Sequence, residues 1–102
     1  MNLKKEQHDK GENKNRILLV DDDSVVRQEL IGLINQTPNF VVCAEAENVS
    51  QALTAAENNQ VDLAIVATSM KGTTYVQVVE KIKLQRPNLP VLTIPTSEFL
   101  LK

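Results

Sequence analysis

Three adjacent carboxylates, Asp21, Asp22 and Asp23, are the residues of this chain most able to do chemistry. Acids gathered at one point can hold a divalent cation, a hard ion that takes several oxygen ligands. The same acids can instead cap a helix by accepting from the free N–H groups of its first turn. Three neighbouring negative charges also repel one another, so a counter-charge is expected nearby. Lys71 is the candidate, on a loop at the same end of the fold. Thr68 and Ser69 carry hydroxyls, but a hydroxyl is a poor nucleophile at neutral pH without an activating base. Tyr75, the only tyrosine, either faces a partner or half-covers the sheet edge. His8 lies among charged residues and reads as solvated. Cys43, the single cysteine, rules out an intrachain disulfide; in its apolar run it reads as a small core residue, and its solitary thiol fits a reducing cytoplasm.

The acids are positioned by the element before them. Arg16 to Val20 is a short strand with four apolar residues in a row, Ile17 to Val20. A strand without polar alternation is covered on both faces, as in the middle of a parallel sheet. Ligand sites in such sheets lie at the carboxyl ends of the strands, where Asp21 to Asp23 sit. A helix is expected from Ser24 to Gln36, capped by Asp23 or Ser24, with Val26, Leu30, Leu33 and Ile34 inward. Thr37-Pro38-Asn39 ends it. A strand over Phe40–Ala46 follows, then a helix over 49–58 capped by Asn48, with Ala52, Leu53 and Ala56 inward. Leu63 to Ala67 is a third, fully apolar strand, and Asp62 is a turn residue at the far end of the sheet. A third helix over 74–85 turns Val76, Val79 and Ile82 inward, and a fourth strand over 91–94 stops at Pro95. Strand and helix alternate throughout, which with right-handed crossovers gives an open parallel α/β sheet.

Composition bounds the function. The 102 residues allow one domain, and a net charge of -2 gives no broad basic field for nucleic acid. Residues 1–15 alternate charges with almost no apolar anchor and read as a disordered tail, leaving 16–102 as the domain. The N-terminus lacks the apolar core of a secretory signal, and no apolar run approaches a membrane span.

Taken in order, Ile17-Leu-Leu-Val-Asp-Asp-Asp-Ser-Val-Val-Arg27, Phe40-Val-Val-Cys-Ala-Glu-Ala46, Asp62-Leu-Ala-Ile-Val66, Ser69-Met70-x-Gly72 and Pro87-Asn-Leu-Pro-Val-Leu92 resemble a response-regulator receiver domain of two-component signalling. The second and last pieces are most similar to receivers that precede a LuxR-type helix-turn-helix. The resemblance covers Arg16 to about Ser97. It implies a flavodoxin-like sheet of order 2-1-3-4-5, here 2-1-3-4 with the fifth strand and last helix missing. It also implies a phosphoryl-transfer site: an acidic pair holding Mg²⁺, a nucleophilic aspartate after the third strand, a Thr or Ser after the fourth and a Lys after the fifth.

Carried onto this sequence, the acidic pair is Asp21 and Asp22, but the acceptor falls on Ala67 and the switch hydroxyl on Pro95, with Thr96 one residue late. The lysine has no counterpart. The proline of the usual Met-Pro-Gly loop is Lys71, and a later glycine is Tyr75. A methyl group neither attacks phosphorus nor binds a metal. The expectation is therefore a degenerate receiver, not an enzyme, with no cofactor beyond weak Mg²⁺ on Asp21 and Asp22. It would act in the cytoplasm as a phosphorylation-independent interaction or regulatory module. Two other readings stand beside it: an inactive, truncated remnant of a LuxR-type transcription regulator, and an active receiver that uses a neighbouring acid such as Asp23. If the missing elements leave about 400 Å² of apolar surface bare, about 10 kcal/mol is lost, comparable to a whole domain's stability. Phe99-Leu100-Leu101 replaces little of that. A protein partner or self-association through the incomplete sheet edge is expected, without direct DNA binding and without membrane attachment.

Overall fold

A computed structural model describes residues 14–68 and 74–95. Most of the charged tail, His8, Lys71, Thr96 and the Phe99-Leu100-Leu101 segment lie outside them. The first apolar run forms β1, Asn15–Val20. It starts one residue earlier than its hydrophobicity marks, because the Asn15 amide donates to Asn39 O at 2.7 Å. Next comes α1, Ser24–Gln36, whose N-cap is Asp23: its Oδ1 accepts from Val25 N at 2.9 Å and Val26 N at 3.2 Å. At the other end the Thr37 amide and hydroxyl both donate to carbonyls of the last turn, Ile34 O and Leu33 O, each at 3.0 Å. Asn39 then reverses the chain at φ 72, a left-handed conformation that asparagine tolerates better than most residues.

After this turn come β2, Phe40–Ala46, and α2, Val49–Asn58. Asn48 caps α2, accepting from Gln51 N at 2.8 Å, while Gln51 Oε1 reaches back to Glu47 N at 3.0 Å. This reciprocal pair satisfies two donors at once, as in a capping box. The remaining elements are β3, Leu63–Ala67, α3, Thr74–Gln85, and β4, Val91–Ile94. All four strands are parallel in the order β2-β1-β3-β4, so the strands carrying the uninterrupted apolar runs 17–20 and 63–67 are the interior ones. None of the described helices is long and apolar enough to cross a membrane.

Alternation along β1 sorts the core into two layers. Leu18 and Val20 join Ala64 and Val66 of β3 under Ala52 and Ala56 of α2 and Val78 and Ile82 of α3. Ile17, Leu19 and Ile65 point the other way and meet Leu30 of α1. Two inward assignments change. Leu33 is 46% exposed, and Ile31 packs on the core in its place. Arg27, Gln28 and Asn35 of α1 reach toward β2, which rotates the buried stripe onto the side carrying Ile31. In α3, Val76 is 37% exposed and Val78 is buried, because the buried face follows Tyr75, Val78, Val79 and Ile82 at i, i+3, i+4, i+7. Cys43 is half-buried at the rim of the core rather than inside it. Asp62 does more than turn the chain: its Oδ2 accepts from Arg16 N and its own amide donates to Arg16 O, both at 2.8 Å, clamping the starts of β1 and β3 together.

Candidate functional site

The register brings the candidate residues to one end of the sheet. Val20 pairs with Val66, so Asp21 lies opposite Ala67; Ala67 pairs with Ile94, so Pro95 lies opposite Thr68. Thr68 N closes the ladder on Ile94 O at 2.9 Å. Asp21 is fully buried, and its amide donates to Ala46 O at 3.0 Å, which holds it at the end of β1. Its carboxylate is half satisfied. Oδ1 accepts from Asp23 N at 3.0 Å, while Oδ2 is buried with no hydrogen-bond partner. Burial pushes this carboxyl above the ordinary value, with Asp22 and Asp23 adding to the effect; the Asp23 amide and the Arg27 guanidinium oppose it. Asp22 is exposed beside it. Asp23 turns outward into its helix cap.

The counter-charge among the described residues is Arg27. Nη1 donates to Asp21 O at 2.6 Å, and Nε pairs with Glu45 Oε1 at 2.9 Å. Gln28 Nε2 reaches the same Glu45 oxygen at 3.4 Å. One largely buried arginine thus ties the first turn of α1 to the ends of β1 and β2. Nothing in the spacing of Arg27 or Glu45 marks them, because their meeting depends on how α1 lies across the sheet. Tyr75 sits half-buried in the first turn of α3 and packs against the core. Cys43 is remote from the acids; its thiol lies 3.8 Å from Gln60 O, and burial pushes its pKa up, away from thiolate chemistry at neutral pH.

Among the described residues, the donor set at this end of the sheet is short of the several oxygens that hold a divalent ion tightly. Asp21 Oδ2 is free to accept one, and Asp22 stands alongside, while the end of β3 opposite Asp21 presents the buried methyl of Ala67. Among the described residues no group of three or more His, Cys, Asp or Glu side chains is placed to hold a metal.

The fold and the acidic strand end are those of an open parallel α/β sheet with its candidate site at the strand ends, and sequence comparison identifies the family. The family model for the response regulator receiver domain matches residues 17–98. The chain belongs to this family, whose members serve two-component signalling. It is 32% identical over 76 residues to a protein-glutamate methylesterase/protein-glutamine glutaminase of Pseudomonas syringae pv. tomato, covering 74% of this chain and 21% of that protein. It is 28% identical over 82 residues to the transcriptional regulatory protein YdfI of Bacillus subtilis, covering 80% of this chain and 38% of that protein. The chain therefore spans only a fifth to two fifths of these relatives. Among solved structures, a LuxR-family two-component response regulator from Aurantimonas sp. SI85-9A1 superposes with a TM-score of 0.72 at 25% identity, over 78% of this chain and 57% of that one. CheY6 of R. sphaeroides, solved with the P1 domain of CheA3, shares the fold, with a TM-score of 0.66 at 24% identity over 79% of this chain and 63% of that one.

Proposed function

We propose that this chain is a pseudo-receiver: a receiver-type module of two-component signalling that takes no phosphoryl group at the usual position and acts through protein contact. The reading rests on Ala67, fully buried at the carboxyl end of β3 and opposite Asp21, where the family resemblance puts the phospho-accepting aspartate. A carboxylate there would be the nucleophile and would complete the oxygen set for Mg²⁺. The methyl group does neither. Pro95, at the expected switch position, has no hydroxyl to follow a phosphoryl group. No catalysis, no resident metal and a cytoplasmic setting are parts of the same proposal, and so is a protein partner rather than nucleic acid. The use of Asp23 as a substitute acceptor is disfavoured because its Oδ1 is committed to two amides of α1.

The test is incubation with acetyl phosphate and Mg²⁺, read by intact mass. The expected result is no adduct. A hydroxylamine-labile gain of one phosphoryl mass on an aspartate would overturn the proposal, and Asp21→Ala and Asp23→Ala would locate it. A second reading, the receiver portion or remnant of a LuxR-type regulator, is favoured by the superposition on the Aurantimonas regulator, of which the chain covers 57%. The coding sequence downstream of Lys102 decides between the two.

A further inference from the structure

We propose that the cleft at the amino ends of β3 and β4 binds a small zwitterion, an ammonium and a carboxylate joined by an aliphatic frame, as in a free aliphatic amino acid or its dipeptide. The cleft holds about 470 Å³, within the roughly 300–1,000 Å³ of small-molecule sites. It lies at the opposite end of the sheet from Asp21 and Ala67, because its Asp62 precedes β3 and its Pro90 precedes β4. The inference therefore stands apart from the pseudo-receiver reading and adds an input that needs no phosphoryl group. Val61 and Leu89, each only 4% exposed, give the cleft an apolar lining. Pro87 and Pro90 stiffen its rim, since the proline ring fixes φ. The turn between them is closed by the Leu89 amide on Arg86 O, and Pro90 O accepts from Ala64 N, both at 3.0 Å.

Two opposite charges line this cleft without neutralising each other. Asp62 and Arg86 make no ion pair with one another or with any other described residue. Each is nevertheless held in place by a hydrogen bond. Asp62 Oδ2 accepts from Arg16 N at 2.8 Å, which leaves Oδ1 open. Arg86 Nη1 donates to Ala56 O at 2.8 Å, which leaves the other guanidinium N–H groups open. Groups fixed before a ligand arrives lower the ordering cost of binding. An anion alone would answer Arg86 but be repelled by Asp62, and a cation alone would meet the reverse. A molecule carrying both charges suits both residues. Its ammonium donates to the Asp62 carboxylate, and its carboxylate accepts from the Arg86 guanidinium, whose planar fork matches two oxygens. The aliphatic frame rests on Val61 and Leu89, away from water. Asp62 is exposed and Arg86 half-buried, so water screens both charges. A ligand of about ten non-hydrogen atoms is then held with a Kd of roughly 0.1–1 mM.

The experiment is calorimetric titration of the full chain with L-leucine and with leucyl-leucine, which separate an amino acid from a dipeptide by length. The expected result is saturable binding of at least one of them in that range. Its N-acetylated and its amidated derivatives, each lacking one charge, are expected to bind at least tenfold more weakly. Asp62→Asn keeps an oxygen for the Arg16 amide, and Arg86→Gln keeps a donor for Ala56 O. Each variant, with an unchanged circular dichroism spectrum, is expected to weaken binding at least tenfold. If a variant does not fold, the blocked derivatives on the wild-type chain carry the test. No saturable binding of either probe up to about 20 mM overturns the proposal. So does equal binding of a probe and its blocked derivatives, or affinity that both variants retain. Acetyl-phosphate labelling of the same preparation reads the pseudo-receiver proposal separately, so either can fail alone.

Discussion

Replacing Asp21 by asparagine is expected to stabilise this fold at neutral pH. Asp21 is fully buried and its Oδ2 has no partner among the described residues, so its negative charge is poorly solvated in the folded state. Burial accordingly raises its pKa above 3.8, the value it regains on unfolding. Between 3.8 and the raised value the folded state binds more protons than the unfolded one. Stability therefore falls as pH rises through that window and stays reduced above it, while below 3.8 there is no penalty. An unsatisfied buried polar group costs about 1–3 kcal/mol, and a charged one more. Asparagine keeps an oxygen for the Asp23 amide and removes the charge. It also gives up attraction to Arg27 and leaves an amide group without a partner, so a net gain of about 1–2 kcal/mol is expected. Each kcal/mol moves Tm by about 4–8 °C in a domain this small. Thermal melts of both proteins from about pH 3.5 to 8, followed by circular dichroism, provide the assay. The two Tm values should converge in acid and separate as pH rises. A variant less stable at pH 7, or an offset that does not change with pH, would show that burial of the Asp21 charge does not limit stability here.

Two further substitutions test the same end of the sheet. Asp23→Ala removes the acceptor for two amides of α1 and should cost about 0.5–2 kcal/mol in urea denaturation. Ala67→Asp places a third carboxylate opposite Asp21; without metal it should destabilise the fold by roughly 3 kcal/mol at neutral pH. With Mg²⁺, calorimetry should show at least tenfold tighter binding to that variant than to the wild type, whose binding is expected to be millimolar or weaker. Equal affinities would mean that Ala67 is not the position that limits the metal site.

Much of the architecture was legible because single residue types decide it locally. Uninterrupted apolar runs at 17–20 and 63–67 mark strands covered on both faces, and these became the two interior strands. Asp23 and Asn48 mark helix starts because their short side chains reach free amides one turn ahead. The acids at the end of β1 and the methyl at the end of β3 are likewise fixed by position in the chain. Which helix face turns inward was less legible. Leu33 and Ile31 both lie near the edge of the apolar stripe of α1, and so do Val76 and Val78 in α3; the choice depends on how each helix lies across the sheet. The Arg27–Glu45 pair joins residues 18 apart in sequence, and only the placement of α1 beside β2 brings them together. The bulge at Cys43 arises from pairing two strands, so no local pattern announces it. The sequence by itself determined the elements, their order and the chemical identity of the strand ends. Tertiary packing decided that Asp21 is buried with one oxygen unanswered, and that Arg27 and Glu45 meet beside it. Burial, desolvation and side-chain pairing depend on neighbours distant in the chain, which local residue preferences do not encode.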